Sequence, residues 1–162
     1  MIHIRKATES DFDQIWRIFQ QIINAGDTYS NPPTTTREQA HRKWMDPEGA
    51  TYVAADGDEI LGAYIIKANH PGHASHIANA SYIVDTNARG KGVGRLMGEH
   101  SIIEAKNAGF LAMQFNIVVS TNKPAVELWK KLGFSVIGTT PKGFNHHAFG
   151  FVDTYIMYRS LE

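Results

Sequence analysis

The chain predicts a single α/β domain over residues 1–162, with about seven strands and four helices. Three observations carry that expectation. Strand-like stretches and helical stripes alternate along the sequence. A glycine-rich turn, Gly90-Lys91-Gly92-Val93-Gly94, links an apolar strand-like run to an amphipathic segment. Ala112 to Val119 is nearly all apolar, the pattern of a strand covered on both faces.

The elements follow in order. Ile2 to Lys6 alternates like a first strand. Ser10 and Asp13 make a capping-box-like helix start, with Asp in place of the usual Glu or Gln. Phe12, Ile15, Trp16, Phe19, Ile22 and Ile23 then mark one helical stripe, and Gly26 stops that helix. Thr28 to Thr35 is a proline-bearing loop. Thr36 and Gln39 open a short second helix that ends before Pro47. Thr51 to Ala55 and Ile60 to Lys67 are strands joined at Asp56-Gly57-Asp58, a hairpin signal. His76 to Val84 is the strand ahead of the glycine turn, and the third helix runs to about Ala108 with Gly109 as its stop. After Ala112 to Val119, Thr121 or Asn122 caps a fourth helix with the stripe Ala125, Leu128, Trp129 and Leu132, ended by Gly133. Ser135 to Gly138 and Val152 to Arg159 supply the last two strands.

Composition narrows the function classes. With 43% apolar residues the chain can build a core without covalent staples. It has no cysteine, which excludes a disulfide framework, a zinc–thiolate site and a cysteine nucleophile. Sixteen basic residues balance 16 acidic ones, which argues against nucleic acid or an anionic membrane as partner. No run approaches the ~18 apolar residues of a membrane span. The start Met1-Ile-His-Ile-Arg-Lys has no signal-like apolar region, so a cytoplasmic location is expected.

The glycine turn carries the strongest chemistry. A strand, a glycine-rich turn and a helix aim backbone N–H groups at one point beside the positive end of a helix dipole, which suits a phosphate or pyrophosphate. The P-loop spacing is absent, and Gly-x-Gly-x-x-Gly fails from both Gly90 and Gly92. What remains is Arg-x-x-Gly-x-Gly, on Arg89, Gly92 and Gly94. Here the chain resembles the Gcn5-related N-acetyltransferases, in which a Gln/Arg-x-x-Gly-x-Gly/Ala loop wraps the pyrophosphate of acetyl-CoA. Asn122-Lys-Pro-Ala-Val-Glu-Leu-Trp-Lys-Lys-Leu-Gly-Phe134 resembles that family's second signature, Asn-x-x-Ala-x-x-Leu-Tyr-x-x-x-Gly-Phe. The resemblance implies a mixed central sheet flanked by four helices, with fourth and fifth strands splayed so that CoA enters between them.

The resemblance also assigns roles. Arg89, Gly90, Lys91, Gly92, Val93, Gly94 and Arg95 are expected at the pyrophosphate, with Arg89 and Arg95 adding charge. Gly98, one helical turn after Gly94, is expected to allow close helix–strand packing. Tyr82, Ile83 and Val84 are expected to meet pantetheine through their backbone, and a strand N–H there to polarise the acetyl carbonyl. Asn122 is expected on the pantetheine arm, beside its ordinary role as a helix cap. The family's Tyr acid is replaced by Trp129, an indole that donates only and lies on the apolar stripe. The family's frequent strand Glu is also absent, since the fifth strand reads Gln114-Phe-Asn-Ile-Val-Val.

Asparagines stand out instead. Asn79 and Asn116 lie inside strands, where Asn is depleted and its amide must find partners. One reading is a structural tie between the strands. The other makes them the catalytic pair that holds the acceptor beside the thioester. Asn79, Asn116 and Asn122, with Trp after Leu in the fourth helix, resemble the azetidine-2-carboxylate (proline-analogue) N-acetyltransferase branch. Tyr29, His146 and the stretch Phe144 to Gly150 are candidate walls of the acceptor pocket, and His76, His146 and His147 are candidate bases. His100 is expected to be a satisfied core histidine. His70, His73 and His76 are separated by Pro71 and Gly72, so no metal site is expected. Three functions stay open: acetylation of a small-molecule amine by acetyl-CoA, acetylation of a peptide or protein amine, and acyl-CoA binding without catalysis. The resemblance adds a homodimer as a common assembly.

Overall fold

A computed structural model describes residues 1–162. The chain runs β1 (His3–Lys6), α1 (Phe12–Ala25), α2 (Arg37–Trp44), β2 (Ala50–Asp56), β3 (Glu59–Ala68), β4 (Ile77–Val84), α3 (Val93–Asn107), β5 (Ala112–Val119), α4 (Lys123–Lys131), β6 (Ser135–His146) and β7 (Gly150–Ser160). The strands make one mixed sheet in the order β1-β2-β3-β4-β5-β7-β6. Every neighbouring pair is antiparallel except β4 and β5, which run parallel with α3 as their crossover. The expected α/β class, strand count and helix count are all present. No helix is long and apolar enough to cross a membrane.

Two cores cover the sheet. Strand side chains alternate between faces. On one face Phe12, Ile15, Ile18, Phe19 and Trp44 of α1 and α2 pack with Val53, Ala63, Ile65 and Ile83. On the other, Val93 and Met97 of α3 and Val126 and Trp129 of α4 pack with Tyr64, Met113, Phe115 and Met157. Along β4, Ala78, Ala80, Tyr82 and Val84 belong to the α3/α4 face. Asn79 and Ser81 therefore share the α1/α2 face with Ile83.

The β4–β5 seam is short. Only Ile77↔Ala112 and Ala78↔Met113 are in register. Beyond them the strands part, while β4 stays laddered to β3 as far as Gly62↔Val84. The backbone edge of β4 from Ala80 to Val84 thus faces no strand.

Several boundaries differ from expectation. The first helical segment is opened by Thr8 and Asp11, not Ser10 and Asp13: the Thr8 N–H donates to Asp11 Oδ2 at 2.7 Å. Arg5 donates two further bonds to the same carboxylate, and with the Thr8 N–H it outweighs burial and holds the Asp11 carboxyl at about 2. Ile18 joins the buried stripe of α1, and Trp16 lies at its half-buried edge. The stretch expected as a late loop is largely a hairpin, because β6 continues to His146 opposite Gly150. The strand passes Pro141 and Gly143 through an irregularity with Lys142 at φ 54°, and Gly143 is needed because a Cβ there would stand 2.3 Å from Thr154 Oγ1. Gly98 serves helix–helix packing instead of helix–strand packing: a Cβ there would lie 2.7 Å from Leu132 Cδ1 and 3.1 Å from Trp129 Cζ3. The close helix–strand approach belongs to Gly62, whose Cβ would stand 2.9 Å from Met97 Cε and 3.0 Å from Val93 Cγ1 of α3.

Candidate active site

The glycine turn has the geometry its composition predicts. Gly90 and Gly92 sit at φ 80° and 77°, in the left-handed region where other residues are strained. Gly92 caps α3, and the first ladder bond is Leu96 N–H to the Gly92 carbonyl. The N–H groups of Gly92, Val93, Gly94 and Arg95 therefore have no acceptor in the helix, and they converge on the end of a 15-residue dipole. Asp85 anchors the approach. It is 2% exposed, accepts the Asn87 N–H at 2.9 Å and pairs with Arg17 at 2.9 Å. Burial alone would raise its pKa, but these partners hold it below the usual carboxylate range. Arg89 and Lys91 are exposed, while Arg95 pairs with Glu99 at 2.8 Å on the helix surface.

The splayed edge of β4 is met from the α1–α2 loop. The Tyr29 hydroxyl accepts the Tyr82 N–H and donates to the Tyr82 carbonyl, both at 2.9 Å. It is the only side chain bonded to that edge, and it occupies the backbone groups expected to meet pantetheine. Burial pushes the Tyr29 phenol up to about 12, so it stays protonated and can serve as donor and acceptor together. The side chains of Ile83 and Val84 pack into opposite cores, and on the ladder to β3 the backbone groups of Tyr82 and Val84 face the seam while those of Ile83 face β3.

The two strand asparagines share a sheet face and both meet Gln114, but they do not bond each other. Asn79 Nδ2 donates to the Gln114 carbonyl at 3.0 Å, tying β4 to β5 one residue past the last matched pair. Asn116 exchanges bonds with Asn69, at 2.7 and 3.2 Å, and its Oδ1 also accepts from Gln114 Nε2. Asn122 caps α4 through its backbone, with Val126 N–H bonded to its carbonyl, while its side chain makes no capping bond.

A cavity of about 320 Å³ adjoins this seam on the α1/α2 face, lined by Arg42, Lys43, Asp46, Ile65, Lys67, Asn79 and Ser81. Lys67 pairs with Asp46 at 2.8 Å. Lys43 bonds only Ser81 Oγ, at 3.4 Å, with its ammonium 5.7 Å from the Tyr29 ring centre and 5.6 Å from that of Trp44. Burial, aided by the charge of Lys67, pushes the Lys43 pKa down. Sequence reasoning missed this residue, because His41-Arg42-Lys43 looks like a solvated helix face. The available signal was spacing: Lys43 is three residues after the buried Ala40 and adjoins the buried Trp44.

Other expected residues find different surroundings. Trp129 is 8% exposed, with ring centres 4.7 Å from Tyr82 and 4.6 Å from Phe115, so it packs beneath the seam. His146 is buried, and its Nδ1 accepts the Ala148 and Phe149 N–H groups, which closes the β6–β7 turn. The neighbouring His147 N–H donates to the Gly26 carbonyl, which holds that turn against the end of α1. His70, His73 and His76 are all exposed along the β3–β4 connection. His100 is satisfied by the Tyr64 hydroxyl at 2.6 Å.

Comparison with known proteins agrees with this architecture. The sequence profile of the acetyltransferase (GNAT) family matches residues 13–134. A solved GCN5-related N-acetyltransferase from Kribbella flavida is 43% identical, with a TM-score of 0.95 over 98% of this chain and 97% of that one. The N-acetyltransferase aca1 of Schizosaccharomyces pombe is 37% identical over 112 residues, 68% of this chain. The match spans 53% of that protein's length. A GNAT superfamily phosphinothricin acetyltransferase from Sinorhizobium meliloti, solved with AcCoA, has a TM-score of 0.85 over 98% of this chain and 88% of its own. At 22% identity that likeness is one of fold.

Proposed function

Because the chain belongs to the acetyltransferase (GNAT) family, we propose that it is an acetyl-CoA-dependent N-acetyltransferase acting on a small-molecule amine, of which amino acids and proline analogues are the first candidates. One observation carries the reading: a backbone edge in the middle of the sheet, from Ala80 to Val84, paired with no strand and met only by the Tyr29 hydroxyl, leads to four unpaired helix N–H groups at Gly92–Arg95. That combination fits a ligand with amides at one end and a pyrophosphate at the other. Acetyl-CoA supplies an activated thioester. Gly92, Val93, Gly94 and Arg95 hold its pyrophosphate through backbone N–H groups, with Arg89, Gly90 and Lys91 at the rim. Tyr82 and Val84, on either side of Ile83, offer backbone to the pantetheine arm, and the Asn122 side chain flanks it.

The transfer is direct. The amine nitrogen forms a bond to the acetyl carbon, the carbon–sulfur bond breaks, and the amine proton leaves through water as the CoA thiolate is protonated. A β4 N–H stabilises the developing oxyanion. Asn79 and Asn116 stand on the acceptor side of the seam. On this reading Asn79 holds both the strand crossing and the acceptor. Trp129 packs and does not donate a proton to the leaving group. His146 supports the turn held against the end of α1, which on this reading walls the acceptor side.

A CoA-release screen over amino acids, proline analogues and N-terminal peptides tests the proposal. Turnover with a small amine is expected. Turnover confined to peptides supports the peptide-acetyltransferase reading, and acetyl-CoA stabilisation without release from any amine supports a binding module. A homodimer is part of the same proposal. β6 is the outer strand, with Val136 and Ile137 exposed at 39% and 57%, and light scattering should report twice the 18.0 kDa chain mass.

A further inference from the structure

Resting on the acetyltransferase reading, we propose that the acceptor carries an acidic group, and that Lys43 and Arg42 bind it in the cavity beside Asn79 and Ser81. The acceptor class is therefore an amine with a nearby carboxylate or equivalent anion, not a neutral amine or a lysine side chain.

The charge balance of the cavity points there first. It gathers three cations, Arg42, Lys43 and Lys67, against one carboxylate, Asp46. Lys67 takes that carboxylate at 2.8 Å, so Arg42 and Lys43 are left without an ion pair. Lys43 is held inward by the Tyr29 and Trp44 rings, with a single long bond to Ser81 Oγ. A half-buried ammonium with one weak partner has bonding capacity to spare. The lowering of its pKa by burial and by Lys67 marks the same lack of a counter-charge. An anion in the cavity would relieve both, through charge-assisted bonds to Lys43 and Arg42 and a hydroxyl bond from Ser81.

Position gives the second argument. Ser81 adjoins Tyr82, whose N–H and carbonyl face the seam, and the Tyr29 ring under Lys43 carries the hydroxyl bonded to them. Asn79, in the cavity wall, also bonds across to the Gln114 carbonyl. The cavity and the seam thus share a wall. An anion held at Lys43 leaves the amine of a small molecule directed to the seam, where the thioester carbonyl is expected.

Matched acceptors test this: azetidine-2-carboxylate against its carboxamide, and L-proline against L-prolinamide, each assayed by CoA release. The amide's amine loses its proton more readily, so intrinsic reactivity works against the expected result. The carboxylate form should be preferred by roughly tenfold to a hundredfold in kcat/KM, the scale of charged hydrogen bonds. Lys43→Met should raise the acceptor KM and collapse that preference, with the acetyl-CoA KM unchanged, and Lys43→Arg should restore most of it. Equal use of carboxylate and amide, or a preference that survives Lys43→Met, overturns the inference and leaves the acetyltransferase reading standing. Release from no amine at all overturns both. If Lys43→Met does not fold, Arg42→Gln carries the same test from the exposed side of the cavity.

Discussion

Replacing Tyr29 with Phe removes one hydroxyl and, with it, both bonds to Tyr82. Each was formed at 2.9 Å to a backbone group on the splayed edge. At about 0.5–1.5 kcal/mol net per bond, the pair contributes roughly 1–3 kcal/mol to the ligand-free fold, and water entering the seam brings the loss toward the lower figure. For a domain of this size that lowers Tm by roughly 2–12 °C. The donor-bound state behaves differently. If acetyl-CoA takes the Tyr82 groups, the hydroxyl must already have left, so its deletion costs nothing there. Apparent acetyl-CoA affinity in Tyr29→Phe should then rise by the same 1–3 kcal/mol, about fivefold to 150-fold. Melting curves with and without acetyl-CoA, joined to calorimetric titration, measure both halves. A lowered Tm with unchanged affinity would show that the hydroxyl keeps its bonds in the complex. An unchanged Tm would show that the two bonds carry no net stability, and either result refutes the competition argument.

The remaining expectations are these. Gly92→Val should cost about 1–2 kcal/mol from its φ of 77° alone, and should abolish the acetyl-CoA thermal shift by crowding the pyrophosphate; retained affinity would remove the turn from the donor site. Asn79→Ala and Asn116→Ala should each lower turnover more than stability, read from kcat beside denaturant midpoints, and a large midpoint shift with normal kcat would make them strand ties alone. Asp11→Asn should destabilise by about 1–2 kcal/mol near neutral pH, discounted for the 40% exposure of the Arg5 side chain. Because the folded-state pKa of Asp11 is depressed to about 2 from 3.8, this stabilisation is full above about pH 4 and fades as pH falls toward 2. Denaturant titrations of both proteins should therefore converge at low pH, and a constant gap would assign the effect to something other than ionisation.

How much of this was legible in the sequence depended on whether the signal was local. Gly26, Gly109 and Gly133 end their segments at positive φ, and Thr36 with Gln39 makes a true capping box, because a few neighbouring residues decide those features. The Arg89–Arg95 turn was legible for the same reason. Thr8–Asp11 was misread as Ser10–Asp13 because the choice is made by Arg5, on another element. The length of β6 was hidden because Gly143 answers to Thr154 across the hairpin, not to a turn. Lys43 was missed, and Tyr29 was legible only as a candidate pocket wall, not as the partner of the Tyr82 backbone. Their roles arise from a cavity and a strand edge that form only when α2, the preceding loop and β4 come together. The glycine turn is local and was readable, while the cavity and the open strand edge are assembled from distant parts.

The two-rung seam between β4 and β5 has a consequence for how this protein survives in solution. Sheets usually confine their adhesive margins to outer strands, and guard them with charge, short length or a covering loop. Here part of such a margin lies mid-sheet, guarded by a single phenol from the Tyr29 loop. An extended peptide, or a strand of a second molecule, could zip onto it by the same backbone chemistry that would hold pantetheine. Acetyl-CoA held at that edge would act as a shield as well as a reactant. Purified protein kept with excess donor should stay monodisperse longer than protein kept without it, and a Tyr29→Phe variant should show the widest gap between the two.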